Sequence, residues 1–415
     1  MRILIEPSDY VLRNVGDMAM LKAALSRLAA TWPDAMIEVL SDEPQALRAF
    51  CPHATPLDAA GRHQWLADAF LPGARHAPHL SRMLEACVRR HAPALVETLW
   101  RRKLDGQPRA MEALAGFTNA VARADLVMVT GMGGITDAFA DYAANVLETL
   151  RLALRHRKYV AMVGQGFGPL KNPDLVARAR SVLPHVDFIG LREERAGRPL
   201  LTSLGVPENR IMTTGDDATE IAYDLRQNTV GSGLGINLRA SDYSAVDRAL
   251  FAPLRAVLRN AKDRLQAPLI PVPISFVPGE ADMETIRMLT DDEAGAVPGC
   301  NPEAVIRQIQ RCRLLVTGSY HAGVFALACG IPVIGLARAP YYVDKFQGLA
   351  ALYGEGCQVV LLDDPDFARA LEAEIARLWG AAEAMRPPLL AEAARQIRLG
   401  QDAYRRIRAE FSTRS

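Results

Sequence analysis

Leu314-Leu315-Val316-Thr317 reads as an apolar strand that enters the turn Gly318-Ser319-Tyr320-His321-Ala322-Gly323. Ala326-Leu327-Ala328-Cys329-Gly330-Ile331-Pro332-Val333-Ile334 then carries a helix into a second strand. Strand, small-residue turn, helix and strand make a βαβ unit with parallel strands. The turn therefore lies at the carboxyl edge of an open α/β sheet, where ligands bind. Free N–H groups at the helix start can receive an anion there, beside an imidazole able to exchange protons near neutral pH. His321 is the candidate catalytic residue, with Ser319 and Tyr320 as candidate substrate contacts.

Downstream, Tyr341-Tyr342-Val343-Asp344-Lys345-Phe346 follows the next strand and should stand beside His321. Tyr342 and Lys345 are candidate contacts, the lysine as a point charge for a phosphate; the segment also reads as a hydrophobic loop with one solvated lysine. Upstream, Leu234-Gly235-Ile236-Asn237-Leu238-Arg239 opens this α/β set after the flexible stretch Asn228-Thr229-Val230-Gly231-Ser232-Gly233, which suits a linker. Arg239 ends that strand and offers a planar fork for carboxylate or phosphate. Further strands are expected at Leu269 to Val272 and Val333 to Leu336, and a helical segment from about Pro388 to Glu410 ends the sequence.

The first half repeats the pattern. Ile3-Leu4-Ile5 reads as a strand and leads through Asn14-Val15-Gly16-Asp17 into a helix over about Met18 to Ala30. Asn14 and Asp17 either bind sugar hydroxyls or cap that helix. Met36 to Leu40 is the next strand. Leu126 to Val129 leads into Gly131-Met132-Gly133-Gly134, and Tyr159 to Val163 into Gly164-Gln165-Gly166-Phe167-Gly168-Pro169. Neither glycine set has the full dinucleotide fingerprint. Gly133, Gly134 and Gln165 are instead candidate substrate contacts. Arg192 follows Phe188 to Leu191, and Asp216-Asp217 follows Ile211 to Thr214, as base, hydroxyl ligand or helix cap.

Residues from about 53 to 119 break the alternation. Leu80, Met83, Leu84, Cys87, Val88 and Leu95 suggest helices, interleaved with Arg82, Arg89, Arg90, Arg101, Arg102 and Lys103. Such a basic insert either touches an anionic membrane surface or presents a solvated face. The expected organisation is α/β with two Rossmann-like domains whose parallel sheets face a cleft. Residues 1–228 form an N-terminal acceptor domain carrying the insert, 229–385 a C-terminal donor domain, and 386–415 a helical segment.

At 415 residues the sequence is too long for one ordinary core. Its 48 Lys and Arg against 47 Asp and Glu give no support to a nucleic-acid partner. The six cysteines are scattered without a C-x-x-C pair, as in a reduced cytoplasmic protein. His53, His63, His76 and His79 are spaced too irregularly for a metal site, so no metal is expected. Neither a signal peptide nor an apolar run of spanning length is read.

The ordered set N-x-G-D, G-x-G-G, G-Q-G-x-G-P, L-R-E, G-D-D-A, G-I-N-L-R, S-Y-H and Y-x-x-K resembles the polysaccharide pyruvyl transferase family. The resemblance covers nearly the whole sequence outside the insert. It implies a GT-B-like fold and transfer of pyruvyl from phosphoenolpyruvate to a sugar, with no cofactor and phosphoenolpyruvate as donor substrate. His321 matches the family's histidine in its arginine-leucine-histidine motif, Tyr342 and Lys345 its tyrosine-x-x-lysine, Arg239 its strand-ending arginine, and Asp217 its turn aspartate. Ser319 and Tyr320 replace the arginine and leucine before that histidine, and Pro273-Ile274-Ser275-Phe276 lacks the histidine the family often shows there, although Asp282 is available.

Ketal formation needs an acid for the enol methylene, cations for the departing phosphate and a base for the attacking hydroxyl. His321, Arg239 and Lys345 suit those roles. The acceptor implied is a sugar or glycan, lipid- or nucleotide-linked where it is a precursor, with peripheral membrane contact open. Two alternatives stand beside this reading. One is a GT-B glycosyltransferase using a nucleotide sugar, against which Phe325 stands where the retaining enzymes keep a glutamate; phenylalanine accepts no ribose hydrogen bond. The other is a non-catalytic sugar-binding homologue.

Overall fold

The structure, a computed structural model, describes residues 1–66, 84–85, 88, 92–290 and 298–414. Its first sheet has seven parallel strands: β1 (Arg2–Glu6), β2 (Met36–Ser41), β3 (Thr55–Asp58), β4 (Leu126–Val129), β5 (Tyr159–Gln165), β6 (Phe188–Leu191) and β7 (Ile211–Thr213). They lie in the order β3-β2-β1-β4-β5-β6-β7. The second sheet has five: β8 (Gly233–Asn237), β9 (Leu269–Pro271), β10 (Cys312–Thr317), β11 (Val333–Ala337) and β12 (Cys357–Leu361), in the order β12-β11-β10-β8-β9. β4, β6 and β11 are buried at every position, as strands covered by helices on both faces must be.

Each sheet has a switch point where the strand order reverses. The first lies between β1 and β4, whose ends Glu6 and Val129 are level. The second lies between β8 and β10, where Asn237 and Thr317 are level. Crevices at such points are where doubly wound sheets hold ligands, and the two crevices face each other. The helix Val15–Thr31, after β1, meets the second domain directly. Val15 N–H donates to Ile274 O at 3.0 Å, and Phe276 N–H to Arg13 O at 2.8 Å. One buried apolar cluster runs through both domains, from Val15 and Met18 to Tyr320 and Phe346.

Three features differ from the sequence reading. The insert contains the edge strand β3, whose alternation is masked by Pro56 and by its half-exposed position. Its described helices, Ala60–Leu66, Pro93–Lys103 and Pro108–Arg123, cover one face of the first sheet through Trp65, Trp100, Leu114 and Phe117. Arg82, Arg89, Arg90, Leu80, Met83, Cys87, His76 and His79 lie outside the described residues, while Arg101, Arg102 and Lys103 are exposed. β12 adds an unforeseen fifth strand.

The final helix is continuous over Phe367–Arg414 rather than starting near residue 386. Its first half serves the second domain, with Arg313 Nε donating to Trp379 O at 2.9 Å. Its end returns to the first, where Tyr159 OH donates to Glu410 Oε2 at 2.8 Å and Arg414 pairs with Asp187 at 2.5 Å. Pro387 and Pro388, which donate no backbone hydrogen bond, lie within it where it crosses between domains. Among the described residues no helix is long and apolar enough to cross a membrane, and no histidine, cysteine and carboxylate group is set to hold a metal ion. The described cysteines are free thiols.

Candidate active site

The helix Tyr320–Ala328 starts at the second switch point with Ser319 as its cap residue, whose side chain makes no capping bond. His321, in its first turn, points across the cleft. A Cβ added to Gly16 would overlap the His321 ring at Nδ1, Cγ and Cβ. Gly16 is thus a close-approach glycine: its missing side chain is the space the imidazole fills. His321 is 11% exposed, its Nε2 has no hydrogen-bond partner, and Asp216 Oδ2 lies 3.7 Å away. Burial, then the charges of Arg192, Lys345 and Arg239, push the imidazole well below its ordinary pKa, so the ring is neutral.

Arg192 lies at the centre. It is 1% exposed, and none of its three guanidinium nitrogens has a hydrogen-bond partner. Its nearest carboxylate oxygen is Asp216 Oδ2 at 3.6 Å from Nη1. The guanidinium lies 4.1 Å from the Tyr320 ring centroid. Gly133 and Gly166 make room for it: a Cβ on Gly133 would stand 2.5 Å from Nη2, and one on Gly166 2.8 Å from Nε. Buried polar groups are nearly always paired, and a buried charge without partners is costly. A guanidinium so placed matches the paired oxygens of a carboxylate or phosphate.

Lys345 reaches the same spot from the helix Pro340–Tyr353. It donates to Tyr341 OH, which donates in turn to Gly133 O at 2.8 Å across the cleft. Burial and Arg192 hold the ammonium well below its usual pKa. Arg239 is fixed more firmly: Nε donates to Asp282 Oδ1 at 2.8 Å and Nη1 to Tyr243 OH at 3.1 Å. Asp282 is fully buried and also accepts from Asn237 Nδ2 and from the N–H groups of Ile274 and Ser275. Tyr342 packs edge-on to Tyr341 and stacks beside Tyr243.

The structure thus brings together His321, Arg192, Tyr320, Lys345, Gly133 and Asp17, with Arg239 and Tyr342 at the margin. Asp17 is drawn in from the first domain; burial and Asp9 raise its pKa to about 7 against the opposing pull of Lys345 and Arg192. Four candidates have other duties. Asp217 turns away and accepts from Arg27 Nη1 at 2.5 Å, while Arg27 also holds Glu220 at 2.7 Å, a buried joint between helices. The carboxylate facing the cleft is its neighbour Asp216, raised to about 6 chiefly by burial. Gln165 is 2% exposed and spends its Nε2 on the carbonyls of Thr130 and Val163, tying β5 to the end of β4. Asn14 caps its helix, accepting from Gly16 N–H at 3.0 Å. Gly134 lies beneath Tyr142, one residue beyond the cation centre. Sequence reasoning passed over Glu6, Arg62 and Tyr142; a charge ending an apolar strand was the available signal for Glu6.

The sequence profile of the polysaccharide pyruvyl transferase family matches residues 14–340. No curated protein matches the chain. Among solved structures, similarity extends over whole chains at low identity. A Listeria monocytogenes protein described as a UDP-N-acetylglucosamine 2-epimerase aligns with a TM-score of 0.60 at 13% identity, over 100% of this chain and 96% of that one. A glycosyltransferase from Rickettsia africae aligns at 0.56 and 12%, over 100% and 99%. The UDP-GlcNAc 2-epimerase of Neisseria meningitidis, bound to UDP-GlcNAc, aligns at 0.55 and 10%, over the full length of both chains. These similarities show the fold, the GT-B-like pairing of two doubly wound domains.

Proposed function

Starting from the fact that the chain belongs to the polysaccharide pyruvyl transferase family, we propose that this transferase moves pyruvyl from phosphoenolpyruvate to a sugar of a polysaccharide or its precursor. The observation that carries the reading is Arg192, a buried guanidinium with three unused nitrogens beside a neutral imidazole and a half-buried lysine. That set suits a small, multiply charged anion bearing a site that needs a proton.

Phosphoenolpyruvate supplies both features. Arg192 and Lys345 hold its phosphate and carboxylate oxygens, and Arg239 adds charge from the margin. Proton delivery from His321 to the methylene carbon makes a methyl group and leaves C2 electrophilic. One acceptor hydroxyl forms a C–O bond at C2; the C2–O bond to phosphate breaks, and phosphate leaves with that oxygen. A second hydroxyl closes the ketal. Two hydroxyl protons are released overall, one balancing the new methyl hydrogen and the other carried by phosphate.

Burial, and after it the charges of Arg192, Lys345 and Arg239, hold His321 neutral. A bound dianion offsets Arg192 and Lys345, so the imidazole takes up its proton only when the donor is in place. No cofactor enters this chemistry. Arg192, from the first domain, supplies the fork that Ser319 does not. We place the enzyme in the cytoplasm, where a lipid- or nucleotide-linked sugar precursor is the acceptor; the exposed run Arg101 to Lys103 supplies a cationic face for a bilayer surface.

The test is calorimetric and kinetic. Phosphoenolpyruvate is expected to bind, UDP to bind no more tightly than inorganic phosphate, and His321→Ala to fold while losing phosphate release in the presence of a glycan acceptor. Heat with UDP and none with phosphoenolpyruvate would replace this reading with glycosyl transfer. Turnover by His321→Ala near the unmodified rate would remove the imidazole from the chemistry.

A further inference from the structure

The loop after β4 separates two chemically different places. Gly133 faces Arg192 and Lys345, whereas the next residue, Gly134, lies against the Tyr142 ring, 2.5 Å from a Cβ placed there to Cε1. Behind Tyr142, at the end of β1, Glu6 is fully buried and pairs through Oε1 with Arg62 Nη2 at 2.5 Å. Tyr10 OH donates to the same oxygen. Both partners use Oε1, so Glu6 Oε2 has no hydrogen bond. Arg62 Nε and Tyr142 OH have none either, and the Ser8 hydroxyl faces the Asp17 carboxyl. Glu6 and Arg62 are each more than nine-tenths buried, while Ser8, Asp9, Tyr10, Tyr142 and Asp17 are partly open.

We infer that Glu6, Arg62, Ser8 and Tyr142 form a subsite for a neutral sugar, the acceptor pyranose, at the first domain's switch point. The inference rests on the transferase reading of the cleft and names the residues and ligand class on its acceptor side. Charge decides the class. Glu6 and Arg62 cancel each other, and Asp9 and Asp17 stand beside them, so an anionic ligand is disfavoured here as strongly as it is favoured at Arg192. Neighbouring hydroxyls fit the vacant positions: one donates to Glu6 Oε2, another accepts from Arg62 Nε, and the Ser8 and Tyr142 hydroxyls serve in either sense. A sugar so held is one loop residue from the anion centre, with Asp17 between the two sets.

Saturation-transfer NMR tests the subsite with the methyl glycosides of glucose, galactose, mannose and N-acetylglucosamine, and with glucuronate as the charged control. At least one neutral glycoside is expected to receive saturation at its ring protons, and glucuronate less. Tyr142→Phe, which removes one oxygen and keeps the ring, and Ser8→Ala are each expected to weaken that binding by roughly 3- to 10-fold, the worth of a lost neutral hydrogen bond. Absence of transfer from all four, unchanged binding in both variants, or tighter binding of glucuronate overturns the inference. Phosphoenolpyruvate titrated into the same samples reads the donor side separately. Glycoside binding without phosphoenolpyruvate binding leaves the subsite standing and removes the donor assignment; the reverse removes the subsite alone.

Discussion

Replacing Arg192 with methionine should make the protein no less stable while disabling it. The guanidinium is 1% exposed and lacks hydrogen bonds, and desolvating such an ion costs several kcal/mol. Two interactions offset that cost. At 3.6 Å and an effective dielectric constant of about 20, Asp216 returns roughly 4 to 5 kcal/mol of attraction, though Asp216 bears its own burial penalty, which is why its pKa rises to about 6. The Tyr320 face adds about 2 kcal/mol. The sum is close to zero, and Asp216, whose carboxyl burial already raises to about 6, takes up a proton once the guanidinium is gone, so the replacement leaves no stranded charge of the kind that makes removal of one partner costly. For binding, each charge-assisted hydrogen bond to an anion is worth about 1.5 to 3 kcal/mol, so two of them predict a loss of roughly 10²- to 10⁴-fold in phosphoenolpyruvate affinity. Scanning calorimetry and titration calorimetry on one preparation read both quantities. A melting temperature several degrees lower, with phosphoenolpyruvate affinity unchanged, would show that Arg192 is a packing element and refute the reasoning.

Gly16→Ala should act as a mutation of His321 at a distance: alanine favours the helix by about 1 kcal/mol, but its methyl overlaps the imidazole, so phosphate release should fall by at least about 100-fold while far-ultraviolet circular dichroism is unchanged. Asp217→Ala should do the opposite, lowering stability by about 1 to 3 kcal/mol by leaving the buried Arg27 with Glu220 as its one carboxylate partner, with phosphoenolpyruvate affinity retained; a denaturant melt and a titration distinguish the two. Asp17, at about 7 in the fold against about 3.9 unfolded, supports stability fully below pH 4 and loses that support as pH rises through 7. Asp17→Asn should therefore raise the melting temperature at pH 8 and leave it unchanged near pH 4, and equal shifts at both would contradict the assignment. Phosphoenolpyruvate binding near pH 7 should take up protons, seen as a dependence of binding heat on the ionisation enthalpy of the buffer.

What could be read from the sequence follows the physics of parallel sheets. Buried strands such as Leu314 to Thr317 and Leu126 to Val129 are unbroken apolar runs, and their turns must lie at one edge, so His321, Arg192 and Gly133 were legible as cleft residues. β3 was not, because Thr55-Pro56-Leu57-Asp58 is a half-exposed edge strand that imposes no apolar run. In the sequence the last helical segment reads from about Pro388, whereas tertiary contacts on both sides keep the helix continuous through Pro387 and Pro388. The choice between Asp216 and Asp217 was beyond sequence reasoning. Adjacent residues in a turn point in different directions, and the buried Arg27 that claims Asp217 is 190 positions away. Arg62 was hidden for a similar reason: it comes from the insert, and only the fold brings it to Glu6.

The charges at the centre explain why one cluster can serve both for binding and for proton transfer. Low solvent access moves every titratable member toward its neutral form: Lys345 and His321 downward, Asp216 and Asp17 upward. Arg192 and Arg239 cannot follow, because guanidinium stays charged in proteins, and of the two only Arg239 has a hydrogen-bonded carboxylate, Asp282. The centre therefore carries one strong positive charge, Arg192, with weak compensation from Asp216 at 3.6 Å. An anion arriving within about 4 Å changes the energy of each neighbouring proton by roughly 4 kcal/mol at an effective dielectric constant of 20, the equivalent of about three pKa units. That shift runs against the direction in which burial moves the His321 imidazole and the Lys345 ammonium. In the proposed reaction, donor recognition and arming of the acid are then one electrostatic event, with the imidazole unprotonated until there is a methylene carbon to receive the proton.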